Sequence, residues 1–169
     1  GCAGGVDTTC TFTYTTEPAP AGYHYFKVAV ANGCGGHSGC DIHLGRANAN
    51  KLLARFIWSV AKKHDVVIAE IEGGNLRNAI AHEGEFVVGV PAADKHTLVA
   101  DLNKFIADVE FEFKGIEPNM TFEMASAEAP ATVIDAKTAK NLIYALYCAP
   151  HGVIAMNQNI EGLTETSTN

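Results

Sequence analysis

The order in which two hydrophobic periods alternate along this chain constrains its fold more than any other feature. Apolar residues alternate with others over residues 23–31, which is typical of a strand. Over residues 46–63 they recur every third or fourth position, which predicts a helix. Two further strands are expected at residues 66–71 and 86–90. This part of the chain is therefore predicted to run strand, helix, strand, strand.

A second helix and a further extended stretch follow in the same order. Asp94 is expected to cap the helix, and alternation over residues 110–116 and 121–124 predicts extended chain after it. The apolar face of this helix comprises Leu98, Val99, Leu102, Phe105, Ile106 and Val109. Right-handed crossovers in a β-α-β-β-α-β order place both helices on one face of an antiparallel sheet. The predicted fold class is α+β, with a ferredoxin-like sheet.

Segments outside this unit are predicted to add a helix and short strands. Residues 8–16 are rich in β-branched and aromatic side chains, which favours a strand. A third helix is expected to begin after Asp135 and to end before Pro150. Residues 153–156 form a last short strand candidate.

Charge and cysteine usage exclude several classes of protein. The 169 residues include 12 Lys and Arg against 19 Asp and Glu, a net charge of −7, which argues against a general nucleic-acid binder. No apolar run approaches the roughly 20 residues that a membrane helix needs, and no segment has the pattern of a secretory signal. The five cysteines are therefore expected to be reduced, in a cytoplasmic protein without nucleic-acid or membrane partners.

A glycine-rich stretch over residues 32–40 predicts a loop that allows close approach of its backbone to another group. It contains His37, between Gly36 and Ser38. A histidine on such a loop can stabilise a developing negative charge or move a proton. The alternative is a surface histidine in a turn.

The same stretch offers a possible metal site. Cys34, His37, Cys40 and His43 follow one another at intervals of three residues, and all four are ligand types that zinc accepts. Structural zinc sites, however, usually take two ligand pairs from separated segments. The alternative is that Cys34 and Cys40 fill small spaces near the loop, so no metal ligand is assigned in this chain.

Residues 73–80, Gly-Gly-Asn-Leu-Arg-Asn-Ala-Ile, join two predicted strands and supply a second candidate site. Asn78 offers both a donor and an acceptor, and the Arg77 guanidinium suits a carboxylate. The alternative is a connection that uses Gly and Asn for turn geometry. The sequence contains no complete catalytic set.

Several segments taken together resemble a known family. They are Gly-Gly-His-Ser-Gly at 35–39, Asp-Ile-His-Leu-Gly-Arg at 41–46, Ala-Asn-Ala-Asn-Lys-Leu-Leu at 47–53, residues 73–80, Gly-Val at 152–153 and Glu-Gly-Leu-Thr-Glu-Thr-Ser at 161–167. This set is similar to the lid, or dimerisation, domain of the aminoacyl-histidine dipeptidases. Those Xaa-His dipeptidases (peptidase D) belong to the zinc-peptidase family of glutamate carboxypeptidase and aminoacylase. The resemblance covers residues 1–169, which are expected to be one such domain of a longer enzyme.

The resemblance implies a function that the residues alone do not give. A separate catalytic domain would hold two zinc or other divalent metal ions, and the lid would close over an Xaa-His dipeptide and pair two subunits into a homodimer. His37 is implied to stabilise the oxyanion of the tetrahedral intermediate, and Asn78 to bind the substrate's terminal carboxylate or peptide oxygen. The isolated domain is expected to be folded but inactive. The alternative is a stand-alone ferredoxin-like module that binds a small ligand or has a regulatory role.

Overall fold

The computed structural model describes residues 4–169. Within them the strands are β1 (Thr16–Pro18), β2 (Tyr23–Ala31), β3 (Gly36–His37), β4 (Val67–Gly73), β5 (Ala79–Ile80), β6 (Gly84–Pro91), β7 (Thr121–Ala127), β8 (Thr132–Ile134), β9 (Gly152–Met156) and β10 (Thr164–Thr168). The α-helices are α1 (Ala49–Val60), α2 (Lys95–Glu112) and α3 (Ala136–Cys148), and two short 3-10 helices span Ile42–Leu44 and Ala92–Asp94.

The central sheet has the strand order β4-β6-β2-β7, and all its neighbouring strands are antiparallel. Its strands and the two helices between them follow the order β2-α1-β4-β6-α2-β7, which confirms the predicted ferredoxin-like α+β arrangement. Val28 lies opposite Phe86 of β6 on one side and opposite Met124 of β7 on the other. The pleat of β2 therefore turns Phe26, Val28 and Val30 to one buried face.

Helix α1 packs on this face because its apolar residues form one stripe. The buried members of the stripe are Leu52, Leu53, Phe56, Ile57 and Val60. The Phe56 ring stacks on that of Phe86, with 6.2 Å between centroids. The α2 side chains Leu98, Leu102 and Val109 join the same core. Both helices thus cover one face of the sheet, as predicted.

The third helix confirms its predicted start. Asp135 caps α3 through its Oδ1, which accepts the Thr138 backbone N–H at 2.9 Å. Helix α3 then packs beside α1, where Tyr147 stacks on Trp58 with 3.9 Å between ring centroids. Ala139 of α3 is buried in the core.

Two of the predicted strands are wrong. Residues 8–15 join no sheet, and pairing begins only at β1, because these exposed residues make no backbone hydrogen bonds to a strand of the described range. Thr15 bonds only to Asp135, which follows β8. Residues 110–116 are not extended either, since α2 continues to Glu112 and a turn follows at Gly115, where φ is +82°. The alternation there misleads because Phe111 points to solvent at 83 % exposure while Val109 and Phe113 extend the buried side of the helix.

Other differences concern the ends of elements. Helix α1 begins at Ala49 rather than Arg46, because Asn48 caps it by accepting the Lys51 backbone N–H. Asp94 precedes α2 but makes no capping hydrogen bond, and its carboxylate instead lies 3.2 Å from His64 Nδ1. The four cysteines among residues 4–169 are free thiols, and no helix in that range is both long and apolar enough to span a membrane.

Candidate functional site

The two predicted site segments lie side by side. The glycine-rich stretch is a loop that includes the two-residue strand β3, which pairs with β5 so that His37 is opposite Ala79. The Ser38 backbone N–H then donates to the Asn78 carbonyl oxygen at 2.9 Å. The side chains of His37 and Asn78 are both exposed. A short antiparallel pairing therefore joins the backbones of two segments that are about 40 positions apart in the sequence.

Two hydrogen bonds fix the orientation of the His37 imidazole. Its Nδ1 accepts the backbone N–H of Gly39 at 2.9 Å and that of Cys40 at 3.1 Å. A backbone N–H only donates, so Nδ1 carries no proton and the neutral ring is protonated on Nε2. The exposed ring therefore presents an N–H donor to any group that approaches it.

Asp41 fixes the backbone of His37. Its carboxylate Oδ2 accepts the His37 N–H at 2.8 Å, and its own N–H donates to the His37 carbonyl at 2.9 Å. Gly36 makes this packing possible, since its φ is +134° and a Cβ there would lie 2.5 Å from Arg46 Nη1. A larger residue at position 36 would displace the groups that hold His37.

The base of the loop is closed by charged groups. Arg46 Nη1 donates to the Gly35 carbonyl oxygen at 2.7 Å. Glu117, 8 % exposed, accepts the Cys34 N–H at 2.7 Å and the Ala47 N–H at 2.9 Å, one with each carboxylate oxygen. Sequence reasoning missed Glu117, because a single acidic residue between a helix and a strand forms no pattern and its two partners are distant in the chain.

Asn78 and Arg77 differ in their surroundings. Among residues 4–169, the Asn78 side chain has no hydrogen-bond partner, so its amide is available to a ligand. The Arg77 guanidinium instead donates to the Asp7 carboxylate at 3.0 Å, and both side chains are exposed. The carboxylate that Arg77 was expected to suit is thus provided within this chain.

Residues Ser167 and Asn169 contact the backbone of both site segments. Asn169 Nδ2 donates to the Ala79 carbonyl at 2.9 Å, and the Ser167 hydroxyl donates to the Ser38 carbonyl at 3.4 Å. Asn48 Nδ2 lies 3.2 Å from His151 Nδ1. Burial, and secondarily the charge of Lys51, lowers the pKa of His151. The neutral His151 imidazole is therefore favoured in this cluster of Asn48, His151 and Asn169.

The four zinc-type residues of the loop do not form a metal site. Within the described range, no three His, Cys, Asp or Glu side chains are placed to hold one ion. The Cys34 thiol donates to the Ile116 carbonyl at 3.4 Å, and its hydrogen bond with Glu117, followed by burial, raises the pKa of Cys34. A raised pKa disfavours the thiolate that binds zinc. His37 Nδ1 is also occupied, so these residues do not fit a metal ion.

A family model described as a peptidase dimerisation domain matches residues 28–117. The match begins within β2 and continues past the end of α2, so it includes the loop of His37 and the segment of Asn78. The chain therefore belongs to the peptidase dimerisation domain family.

Individual relatives agree with this assignment. The chain is 36 % identical over 169 residues to the cytosol non-specific dipeptidase of Escherichia coli. The alignment covers 100 % of this chain and 35 % of that protein. The crystal structure of aminoacylhistidine dipeptidase from Vibrio alginolyticus matches with a TM-score of 0.89 at 36 % identity, covering 92 % of this chain and 32 % of that one. The chain thus spans about a third of the length of these two relatives.

A more distant structure shares the fold alone. A putative amidohydrolase/peptidase from Burkholderia cenocepacia matches with a TM-score of 0.51 at 21 % identity, over 64 % of this chain and 28 % of that one.

Proposed function

We propose that this chain is the lid and dimerisation domain of a metal-dependent dipeptidase that hydrolyses Xaa-His dipeptides. The observation that carries the proposal is the exposed His37 residue, whose Nδ1 is held by two backbone N–H groups so that its Nε2 carries the proton. The similarity to an aminoacylhistidine dipeptidase supports the Xaa-His substrate class.

His37 acts as a hydrogen-bond donor in this mechanism. Attack on the peptide carbonyl turns its oxygen into an oxyanion, and a donor fixed in advance stabilises that charge without reorganising during the reaction. The bonds from Gly39 and Cys40 supply this fixed orientation. The Asn78 amide, on the segment that pairs with the His37 loop, binds the terminal carboxylate or the peptide oxygen of the substrate.

The metal ions implied by the resemblance belong to the part of the enzyme outside this chain, because residues 4–169 hold no group of ligands that fits one. They would supply the activated water of the hydrolysis. The chain itself contributes hydrogen-bond donors, excludes water when the lid closes and orients the substrate. By analogy with the cytosol dipeptidase that it resembles, the enzyme acts in the cytoplasm.

The domain also pairs two subunits into a homodimer in this proposal. Strand β7 is an edge of the central sheet, with β2 as its neighbour among the described residues. An unpaired edge offers backbone groups to another chain. At the opposite edge, β4 is approached by β8 and α3. We therefore assign the β7 edge to the second copy.

Removal of the His37 ring tests the proposal most directly. His37→Ala in the full-length enzyme is expected to lower kcat about 10²–10³-fold, equivalent to about 2.7–4 kcal/mol of transition-state stabilisation. Metal content, measured by atomic emission, should remain that of the wild type. His43→Ala is the matched control, because His43 is exposed in the same loop. Unchanged turnover in His37→Ala would reject the oxyanion role.

The isolated chain provides a second test. Assayed with Gly-His in the presence of zinc, residues 1–169 are expected to show no turnover, because the metal ligands are elsewhere. Hydrolysis at the rate of the whole enzyme would instead favour an independent catalytic module. Circular dichroism of the same sample shows that the assayed chain is folded.

A further inference from the structure

A single buried carboxylate closes the loop that carries His37. Glu117 lies between α2 and β7, far in sequence from the loop, and is 8 % exposed. Its Oε2 accepts the Cys34 N–H at the start of the loop and its Oε1 accepts the Ala47 N–H at the end. A buried carboxylate is costly unless it is hydrogen-bonded, and here both oxygens are satisfied by the two ends of one segment.

We propose that Glu117 is the positioning residue of the site: by anchoring both ends of the 34–47 loop, it sets where the His37 Nε2–H group stands relative to Asn78. This inference rests on the proposed function, in which His37 donates to the oxyanion. Glu117 touches neither His37 nor Asn78 directly, so it acts through the backbone of the loop.

The composition of the loop makes such an anchor necessary. It contains four glycines, at positions 35, 36, 39 and 45, and glycine has the greatest backbone freedom of any residue. Between the anchored ends, the Arg46 bond to Gly35 and the β3–β5 pair hold the remaining backbone. Because both ends bind one rigid carboxylate, they cannot separate without breaking a charge-assisted hydrogen bond.

The chemistry of the contact requires a carboxylate rather than an amide. Both partners are backbone N–H groups, which only donate, so both positions on residue 117 must accept. Glutamine has nearly the same shape but offers one oxygen and one NH₂ group. Glu117→Gln therefore leaves one loop end facing a donor and releases it while the local volume is preserved.

The experiment compares Glu117→Gln, His37→Ala and the double variant in the full-length metal-loaded enzyme. Glu117→Gln is expected to lower kcat about tenfold to 10²-fold, the scale of an ångström-sized misplacement, with a smaller change in KM and unchanged metal content. In the His37→Ala background it should cause no further loss, because the group that it positions is gone. Glu110→Gln is the matched control, as an exposed α2 glutamate that loses the same charge.

Two outcomes would overturn the inference. One is a kcat for Glu117→Gln equal to that of the wild type. The other is a loss that multiplies with that of His37→Ala, which would indicate general destabilisation instead of positioning. If His37→Ala alone leaves kcat unchanged while Glu117→Gln lowers it, the oxyanion role fails although the loop anchor still matters, so the two failures are distinguishable.

Amide hydrogen exchange of the wild-type enzyme gives a measurement that does not depend on a variant folding. In the wild-type enzyme, the Cys34 and Ala47 amides are expected to exchange slowly, since both donate to Glu117. In Glu117→Asp, whose side chain is one methylene shorter, at least one of the two should exchange faster. Exchange of both wild-type amides at the rate of unprotected chain would contradict the anchor.

Discussion

The central sheet with the helices α1 and α2 that cover it, called the sandwich below, and the His37 loop are stabilised by different interactions. The sandwich buries apolar side chains such as Phe56, Phe86 and Val28 between α1 and the sheet. The 34–47 loop buries few side chains. Its backbone N–H groups donate to the carboxylates of Glu117 and Asp41, and one of its carbonyls accepts from Arg46. Apolar packing tolerates exchange among residues of similar volume, whereas these bonds require particular charged groups. Stability and site geometry can therefore be altered separately in this molecule.

The largest effect is expected in the sandwich. Phe56→Ala removes a ring that is 1 % exposed and stacked on Phe86, and should lower the free energy of unfolding of the chain by about 3–5 kcal/mol. Urea unfolding followed by the fluorescence of Trp58, the single tryptophan, measures this. Phe111→Ala is the control, because Phe111 is 83 % exposed and should change stability by about 0.5 kcal/mol or less. A similar loss in both variants would contradict the division between core and surface.

A smaller effect is expected where the loop meets the sandwich. Asn48 caps α1 directly after the loop end at Ala47, and Asn48→Ala should cost about 0.5–2 kcal/mol because the Lys51 N–H loses its acceptor. Asn48→Ser loses the same Nδ2 group but keeps a capping oxygen, and is the matched control. Urea unfolding of both variants distinguishes a capping role from simple loss of the side chain, since the latter predicts equal destabilisation.

Low pH should weaken the contact of Asp101 with Lys63 and His64, which lies in the sandwich and not in the loop. The hydrogen bond from Lys63 lowers the pKa of Asp101 below 3.8, against burial, which raises it, and the His64 bond lowers it further. The ionised form is thus favoured in the fold, so its contribution is present above the unfolded pKa and disappears as the pH falls through the lower folded pKa.

The corresponding variant is Asp101→Asn. Its free energy of unfolding should be lower than that of the wild type at pH 7, and the difference should shrink below pH of about 4. Urea titrations at several pH values measure the difference. If the difference in free energy of unfolding stays constant as the pH falls below about 4, the Asp101 charge does not contribute to stability.

The smallest effect on stability is expected inside the loop. Asp41→Ala removes the acceptor of the His37 N–H, a half-exposed bond worth about 0.5–1.5 kcal/mol at most. Its local effect should be larger, because the His37 amide loses protection against hydrogen exchange. Exchange measured by NMR tests this, with Asp7→Ala as the control, an exposed aspartate whose partner is Arg77. Unchanged exchange at His37 would show that Asp41 does not hold the loop.

Much of the fold was predictable because its signals are local. The alternation of β2 and the helical stripe of α1 both arise from neighbouring residues that share one buried face, and Asp135 caps a helix that begins beside it. The same reasoning failed at residues 110–116, where alternation and a helical stripe coexist and only the position of the core decides between them.

The candidate site was predictable only in part. A glycine-rich loop with one histidine identified His37, and a polar connection between strands identified Asn78. Neither pattern showed that the two segments pair as β3 and β5. Lys51 was missed for a related reason, since its ammonium group donates to the carbonyls at the end of α3, including Ala149 at 2.6 Å. Burial lowers the pKa of this lysine, which no local pattern indicates.

The sequence by itself determined the order of strands and helices and the identity of the residue types available for chemistry, because hydrophobic period and glycine content act over a few neighbouring positions. The tertiary structure decided which nitrogen of His37 carries the proton, that the Asn78 carbonyl accepts the Ser38 N–H and that Glu117 ties the ends of the loop. Those properties depend on hydrogen bonds whose partners meet only when the chain has folded, and a carboxylate that accepts from residues 83 and 70 positions away leaves no trace in its own surroundings in the sequence.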